Sequence, residues 1–291
     1  MEMEMSVGVL LGIISLGSWG VADYLARLYA SQAGSNRTAF YVNVISLAPL
    51  LLVLATQAYL GQFPSHIDWP MVWKLGTLLG AVIAAAWILY YHGLEVGTVS
   101  IVAAVASGWF AVATILAFVF LGEVLSIYQV LLIGIITSGI TMLSGLKFSS
   151  PNNRTGFTYG LASMILLGIA TLLLKYLAEA AGPILTLVVC NSVAVVLIGL
   201  WNYRSNANLN LPGKKGLYVL IAAGLLNVVG LLCMVVGITL APIFIVAPIS
   251  AAHAIVTASL AWRFLHERLT GFQWVGFALT LGGVIGLSAY R

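Results

Sequence analysis

The residues that could do chemistry in this chain are few, and they lie within long apolar runs. Asp23 and Arg27 are four positions apart, as are Lys175 and Glu179, so each couple shares a helix face and is expected to form an intrahelical ion pair. His253 has no acidic residue three or four positions away. Ionisable groups within apolar spans are costly and are candidates for a functional site. They indicate recognition of a solute rather than covalent chemistry.

The patterns that catalysis or a bound cofactor would need are missing from the sequence. There is no HExxH zinc motif, no GxSxG nucleophile turn and no paired-aspartate motif, so no catalytic residue is predicted and the protein is not expected to be an enzyme. Cys190 and Cys233 lie in apolar runs and indicate neither a disulfide framework nor a metal site. No Gly-rich phosphate loop is present, which excludes direct use of ATP. We therefore expect no cofactor and no metal.

The composition of the chain sets the elements that position these residues. Of its 291 residues 62% are apolar and 7% are charged, whereas about a quarter of a soluble domain is charged. The net charge of +4 is spread over short loops, with no basic cluster of the kind that binds nucleic acid. The apolar runs do not alternate with polar residues, which indicates membrane-spanning helices rather than barrel strands. Ten runs are long enough to cross a bilayer, at about 6–28, 38–60, 72–94, 98–121, 126–146, 157–179, 183–203, 216–240, 243–265 and 270–290.

The chain contains an internal repeat. The stretch 93–139 matches 237–283 at an offset of 144 with thirteen identical residues, and a weaker match relates spans 2 and 7 at an offset of 148. The polar stretch 147–156 separates the copies, which predicts an all-α membrane protein with five-helix repeats at 1–149 and 150–291. Because five is an odd number, consecutive copies enter the membrane from opposite sides, so the repeats are inverted.

Two segments carry a resemblance to a known family: Phe120-Leu-Gly-Glu-Val-Leu-Ser-Ile-Tyr-Gln129 and Phe264-Leu-His-Glu-Arg-Leu-Thr-Gly-Phe-Gln273. They resemble the duplicated hallmark of the EamA-type transporters of the drug/metabolite transporter superfamily. The resemblance covers nearly the whole chain, although the second copy carries a histidine where the family usually has glycine. It implies a ten-helix carrier of small organic metabolites and favours export.

The substrate site is predicted in a central cavity between the halves. Trp109 and His253 are related by the offset of 144 and lie near the middle of spans 4 and 9, so the inverted axis brings them towards each other. Aromatic residues in spans 1 and 3 would add walls that bind apolar or aromatic solutes by area burial and stacking. Tyr91 and His92, the two candidates at the end of span 3, also fit the aromatic belt of membrane interfaces. The candidate substrate-binding residues are Trp19, Asp23, Trp87, Tyr91, His92, Trp109, Lys175 and His253.

Four polar residues are expected to stabilise the fold. Glu123 and Glu267 occupy equivalent span ends, where each carboxylate is expected to cap the N-terminus of the next helix. Asn43 and Asn191 occupy equivalent positions in spans 2 and 7 and are expected to hydrogen-bond between helices. In addition, Pro248 predicts a kink in span 9 that span 4 lacks.

The predicted function is a secondary transporter that moves a small organic metabolite across a bacterial or archaeal cell membrane by alternating access. The resemblance favours export of amino acids, above all hydrophobic or aromatic ones, or of related compounds. A carrier of sugars or nucleotide sugars is one alternative, weakened by the few basic residues in the spans. A membrane receptor or assembly factor that moves no solute is the other. The expected partners are a small-molecule substrate and the lipid bilayer, and the chain is expected to be a monomer or homodimer.

The sequence constrains the coupling ion of transport and the orientation of the chain in the membrane less than it constrains the fold. Protons are candidate coupling ions because Asp23, Glu95 and His253 could titrate within the membrane, but facilitated or weakly proton-linked transport is expected. An even number of spans places both termini on one side. Family relatives favour the cytoplasmic side for them, whereas the positive-inside rule applied to the loops favours the outside.

Overall fold

The structure, a computed structural model, describes residues 2–62, 67–96, 102, 105–143, 151–205, 210, 213–264 and 269–289. Within these ranges the regular elements are all α-helices. Lipid offers no partner to backbone N–H and C=O groups, so apolar runs form continuous helices, which satisfy these groups internally. The helices are α1 (Glu2–Ala33), α2 (Ser35–Tyr59), α3 (Trp69–Val96), α4 (Trp109–Leu121), α5 (Ile127–Leu143), α6 (Pro151–Ala181), α7 (Pro183–Arg204), α8 (Lys214–Leu240), α9 (Ile243–Ala251), α10 (Ala254–Phe264) and α11 (Gly271–Ala289).

Eight stretches of helix are long and apolar enough to cross a bilayer, when α9 and α10 are counted as one. Two further apolar helices, α4 and α5, are shorter. Helix α4 is the second half of the predicted span 4, and most of the first half lies outside the described residues. The protein is therefore an all-helical multi-pass membrane protein, while the count of ten crossings stays a prediction.

The two halves of the chain pack into each other rather than side by side. Helix α1 packs along α8, and its repeat equivalent α6 packs along α3. Helix α2 contacts its own equivalent α7, and α5 contacts its equivalent α11. In the middle, α4 packs against both α6 and α9. The core therefore lies between the repeats.

Glycines mark close approaches between these helices, and they recur at equivalent positions. A Cβ added to Gly20 would lie 2.4 Å from the Cβ of Val256, and one added to Gly168 would lie 2.5 Å from the Cβ of Val112. Each glycine also faces the carbonyl oxygen three residues before that valine. The two glycines are 148 positions apart and the two valines 144, which are the offsets of the internal repeat. The crossing of α1 with span 9 is therefore the repeat equivalent of the crossing of α6 with span 4. Small residues at such crossings let helix backbones approach closely in lipid.

Span 9 is interrupted near its middle. Helix α9 ends at Ala251 and α10 begins at Ala254. Between them the N–H of Ala252 is shared between the carbonyls of Pro248 and Ile249, at 3.2 Å each, and the N–H of Ile255 donates to the carbonyl of Ala252 at 3.0 Å. The bonds to Ile249 and Ala252 reach back three residues instead of four, and a tightened turn of this kind within a helix often marks a functional hinge.

Span 4 is interrupted in the same way. The N–H of Gly108 donates to the carbonyl of Val105 at 3.0 Å, and the N–H of Ala111 donates to that of Gly108 at 2.9 Å. Each of these positions lies 144 before its counterpart in span 9. The expectation that Pro248 would kink span 9 alone is corrected, because span 4 breaks with Ala104 at the equivalent position. The break is a property of both repeats, and proline is not its common cause.

Candidate functional site

Asp23 and His253, which are far apart in the sequence, are in contact. Nε2 of His253 lies 3.1 Å from Oδ2 of Asp23, and Nδ1 lies 3.1 Å from the carbonyl oxygen of Ser250. His253 is the last residue of the interruption in span 9, so the break places its ring against α1. Asp23 therefore pairs with His253 and not with Arg27, the partner expected from helical spacing. Spacing along one helix gives no information about a helix that packs against it.

The indole of Trp19 completes this group one turn earlier on α1. Its ring packs edge-on against the imidazole of His253, with centroids 5.8 Å apart. Its Nε1–H donates to the carbonyl oxygen of Asn227 in α8 at 3.2 Å. The ring has room because Gly230 lies beside it, where a Cβ would come within 2.6 Å of Cδ1 of Trp19. Trp19 therefore joins α1, span 9 and α8 at one point.

The group is held by polar contacts that the sequence did not reveal. The side-chain amide of Asn227 donates to Oγ of Ser46 at 3.1 Å, and Ser46 donates to the carbonyl oxygen of Gly224 at 2.9 Å, which links α2 to α8. The hydroxyl of Thr257 donates to the carbonyl oxygen of Gly20 at 3.0 Å, which links α10 to α1. The only signal for these contacts in the sequence was the presence of small polar residues in apolar runs. Ser46 and Thr257 donate to backbone carbonyls on other helices, and the sequence does not identify such partners.

A third element faces Asp23 from across the bundle. Tyr90 in α3 interacts electrostatically with Asp23, and the ring of Trp87 packs edge-on against that of Tyr90 with centroids 5.7 Å apart. The sequence singled out Tyr91 rather than Tyr90, and the side chain of Tyr91 lies outside what the structure describes. Asp23 therefore contacts span 9 and interacts with α3, and its side chain is 52% exposed. Carboxylates within membrane spans usually line an interior or water-filled space.

Trp109 is the first residue of α4, directly after the break in span 4. Its side chain is buried, with 8% of the residue exposed, and its ring lies beside that of Phe110 at a centroid distance of 6.5 Å. Because α4 packs against α9, the two breaks lie in neighbouring helices. Trp109 and His253 thus stand at equivalent breaks, one among apolar groups and the other beside a carboxylate.

Glu123 and Lys175 form a second polar cluster, at the end of span 4. Nζ of Lys175 donates to Oε1 of Glu123 at 2.9 Å and lies 3.9 Å from Oε1 of Glu179. The carboxylate of Glu123 also accepts the N–H groups of Ile243 at 3.0 Å and Phe244 at 3.4 Å. It therefore caps the N-terminus of α9, where unpaired N–H groups and the positive end of the helix dipole favour an anion. Lys175 belongs to this cluster and not to the group around Asp23.

The helix that Glu123 caps differs from the expected one, which was the next helix in the chain. Helix α5 is capped by Ser126 and Gln129: the N–H of Ser126 donates to Oε1 of Gln129 at 2.8 Å, and the N–H of Gln129 donates to Oγ of Ser126 at 3.3 Å. Thr270 and Gln273 repeat this arrangement at α11, at 2.9 and 3.3 Å. A Ser or Thr followed three residues later by Gln indicates such a capping box from the sequence alone.

The remaining candidates lie elsewhere. His92 packs edge-on against Tyr159 of α6, with ring centroids 4.8 Å apart. Asn43 and Asn191 each donate to the carbonyl oxygen four residues back in their own helix, at 2.9 and 2.8 Å, and not to a neighbouring helix as expected. A short amide side chain reaches that carbonyl without any help from another helix. Glu267 lies outside the described residues.

An apolar groove of about 320 Å³ lies between α10 and α11, apart from this centre. Trp262, Trp274 and Phe277 contribute to its walls, and Arg263 also lines it. The groove shares no residue with the group around Asp23, so it is not the central cavity predicted from the sequence.

A sequence model of the EamA-like transporter family matches this chain twice, over residues 6–145 and 154–289. The chain belongs to the EamA-like transporter family. An uncharacterized protein of Methanocaldococcus jannaschii is 30% identical to this EamA-like transporter over 136 residues, which are 46% of this chain and 96% of that protein. A crystal structure of a protein with 16% identity superposes with a TM-score of 0.78, covering 96% of this chain and 95% of that one. The second likeness concerns the fold alone.

Proposed function

We propose that this EamA-like transporter exports amino acids, above all hydrophobic or aromatic ones, or related compounds, by alternating access. The observation that carries the proposal is the interruption of spans 4 and 9 at equivalent positions, beside Trp109 and His253. Secondary transporters bind their solutes near the midplane, between repeats, where discontinuous helices expose backbone groups. The paired breaks of this chain support such a position for the site.

The side chains near the breaks suit a solute with an apolar body and one charged end. Trp19 and Trp109 lie at the breaks and, together with Trp87 on α3, offer aromatic area for burial and stacking. Asp23 and His253 are the polar groups that would fix the orientation of the solute, since few polar groups usually serve this purpose in a largely apolar pocket. Hydrophobic and aromatic amino acids match both requirements.

The state of Lys175 argues against the nucleotide-sugar alternative. Its ammonium group is held by Glu123 at 2.9 Å, and the side chains are only 13% and 9% exposed. Phosphate groups are recognised by cations that are free to donate several hydrogen bonds. A lysine already neutralised in this way offers little to a diphosphate.

Glu123 supports the alternating-access part of the proposal. It ties the end of span 4 to the N-terminus of α9 and to Lys175 of α6, so three elements from both repeats meet in one cluster. Release of this cluster would let the elements separate. Arg27 and Glu267 stand at the repeat-equivalent positions of Lys175 and Glu123, so the sequence carries the same residue types for a matching contact.

Transport by the purified protein in liposomes tests the proposal. Vesicles loaded with unlabelled phenylalanine should accumulate labelled phenylalanine by exchange, whereas protein-free vesicles should not. Leucine, alanine, a neutral sugar and a nucleotide sugar serve as competitors. Competition by the nucleotide sugar alone would favour the first alternative, and a failure to move any of these solutes would favour a receptor or assembly factor.

A further inference from the structure

The groove between α10 and α11 differs in its chemistry from the equivalent surface of the first repeat. Two tryptophans and an arginine line it: Trp262, Arg263 and Trp274. At the offset of 144 their equivalents are apolar and exposed: Phe118, Val119 and Val130. Contact with lipid tails asks only for apolar side chains, because the tails are as apolar as leucine. The second repeat therefore carries hydrogen-bond donors that ordinary lipid contact does not require.

Aromatic rings from both helices form one continuous wall of the groove. The ring of Trp262 packs edge-on against that of Trp274 with centroids 5.7 Å apart, and Trp274 lies 5.6 Å from Phe277. The two tryptophans are 49% and 43% exposed, so the groove opens to the outside of the bundle. Deeper in the groove, the hydroxyl of Ser259 donates to the carbonyl of Ile255 in its own helix at 2.8 Å. The floor is therefore apolar in character.

The polar groups of the groove are donors without acceptors. Cζ of Arg263 lies 5.8 Å from the centroid of the ring of Phe264. Among the described residues, no carboxylate pairs with Arg263, and no acceptor binds the indole N–H of Trp262 or Trp274. A guanidinium group offers parallel N–H groups in a planar fork, which fits two oxygens of a phosphate. This part of the groove is suited to an anion.

The donors lie at the end of the groove that faces the membrane boundary. Arg263 stands in the last turn of α10, and Trp274 stands in the first turn of α11. Tryptophans at the ends of membrane spans usually lie at the level of the lipid head groups. Ser259 and Phe277 lie about one turn deeper along their helices. A ligand that fits both parts has an anionic head and an apolar tail.

We propose that this groove binds an anionic phospholipid, with its phosphate on Arg263 and one acyl chain against Trp274 and Phe277. The volume of about 320 Å³ suits a segment of one chain, since sites that enclose a whole small molecule span about 300–1,000 Å³. Basic pockets between membrane helices recognise anionic head groups in this way. A second copy of the chain fits less well, because an isologous contact brings two arginines together and no described lining residue is acidic.

Quenching of tryptophan fluorescence by lipids with brominated chains tests the proposal, because bromine quenches only indoles close to it. The full chain is titrated in detergent micelles with phosphatidylglycerol or with phosphatidylcholine that carries the same brominated chains. The anionic lipid should quench with an apparent affinity about fivefold above that of the zwitterionic one, as expected for one basic residue that meets an anionic head group.

Arg263→Gln should abolish this preference and leave quenching by phosphatidylcholine unchanged. Arg204→Gln is the matched control, since Arg204 is also an exposed arginine in the last turn of its helix, α7, and Trp201 beside it is 45% exposed. This variant should keep the preference of the wild type. The pair of variants separates a built site from the general attraction of interfacial arginines to anionic lipid.

A second pair of variants locates the lipid and keeps every charge. Trp274→Phe removes a reporter from the groove, so the additional quenching by phosphatidylglycerol should shrink. Trp201→Phe removes a reporter of similar exposure on α7 and should leave that additional quenching as it was. If Arg263→Gln does not fold, this comparison decides the question.

Equal quenching by the two lipids in the wild type overturns the proposal. A preference that survives in folded Arg263→Gln, or that is lost as much in Arg204→Gln or Trp201→Phe, also overturns it. Displacement of the lipid by excess inorganic phosphate would show a site for a soluble anion instead. A dimer in light scattering whose groove is quenched by neither lipid would show a contact between copies. These measurements do not depend on transport, so the proposed function stands or falls separately.

Discussion

Glu123 and Ile243 belong to opposite repeats and are joined by a hydrogen bond, in which the carboxylate oxygen accepts the backbone N–H at 3.0 Å. The N-terminus of α9 is therefore stabilised by a side chain from the first half of the chain. The same carboxylate holds Lys175 of α6. A change at Glu123 should consequently be felt at the interface between repeats rather than in the helix that follows it.

Glu123→Gln should lower the free energy of unfolding by about 1–3 kcal/mol, because Lys175 loses its anionic partner and the cap of α9 loses its charge. Thermal unfolding in detergent measures this change. The affinity of the surviving protein for phenylalanine should stay nearly constant. Glu179→Gln is the control, since Glu179 is exposed and lies 3.9 Å from the same ammonium group. A large loss of affinity at normal stability would show that Glu123 binds the solute.

Trp109→Ala should reduce exchange of phenylalanine in liposomes by the loss of about 1–3 kcal/mol of aromatic contact. Exchange of alanine, if it is carried, should fall less because a small solute buries less of the ring. Trp73→Ala is the matched control, since Trp73 lies on the outer surface with 58% of the residue exposed. Equal losses for both solutes, or an effect of Trp73→Ala as large as that of Trp109→Ala, would contradict the placement of the solute.

Gly230→Ala should impair transport although Gly230 has no side chain to contact a solute. The added methyl group would lie 2.6 Å from Cδ1 of Trp19, so the indole must shift and its hydrogen bond to Asn227 must weaken. Exchange of phenylalanine measures the result. Gly17→Ala is the control, because a Cβ there would meet nothing within 4 Å. If both variants transported normally, the seating of Trp19 would not matter for function.

Gly168→Ala should destabilise the protein by about 1–3 kcal/mol, because an overpacked helix crossing forces side chains and backbone apart. The new Cβ would lie 2.5 Å from the Cβ of Val112 and 3.0 Å from the carbonyl oxygen of Trp109. Gly134→Ala has open space around it and should be neutral or slightly stabilising. Thermal unfolding of the two variants and the wild type measures the difference. A loss of stability in Gly168→Ala alone would show that packing at the helix crossing is the cause, whereas an equal loss in both variants would show a general effect of replacing glycine.

The class of the molecule was readable from the order of its residues. Long continuous apolar runs predict helices that cross a membrane, and the recurrence of Glu123 and Gln129 at an offset of 144 predicts two copies of one unit. Asp23, His253 and Trp109 also stood out, because polar or large aromatic residues in the middle of apolar runs are unusual there. These features depend only on composition and spacing, which the linear chain contains in full.

The partners of these residues were decided only by the tertiary structure. Asp23 meets His253 instead of Arg27, and Glu123 caps α9 instead of α5. Spacing along a helix identifies the residues on one face of that helix, but it carries no information about which other helix covers the face. In this bundle the covering helix often belongs to the opposite repeat. The paired breaks in spans 4 and 9 lie beside close glycine contacts with α6 and α1, and they do not depend on a proline that only one of the spans contains.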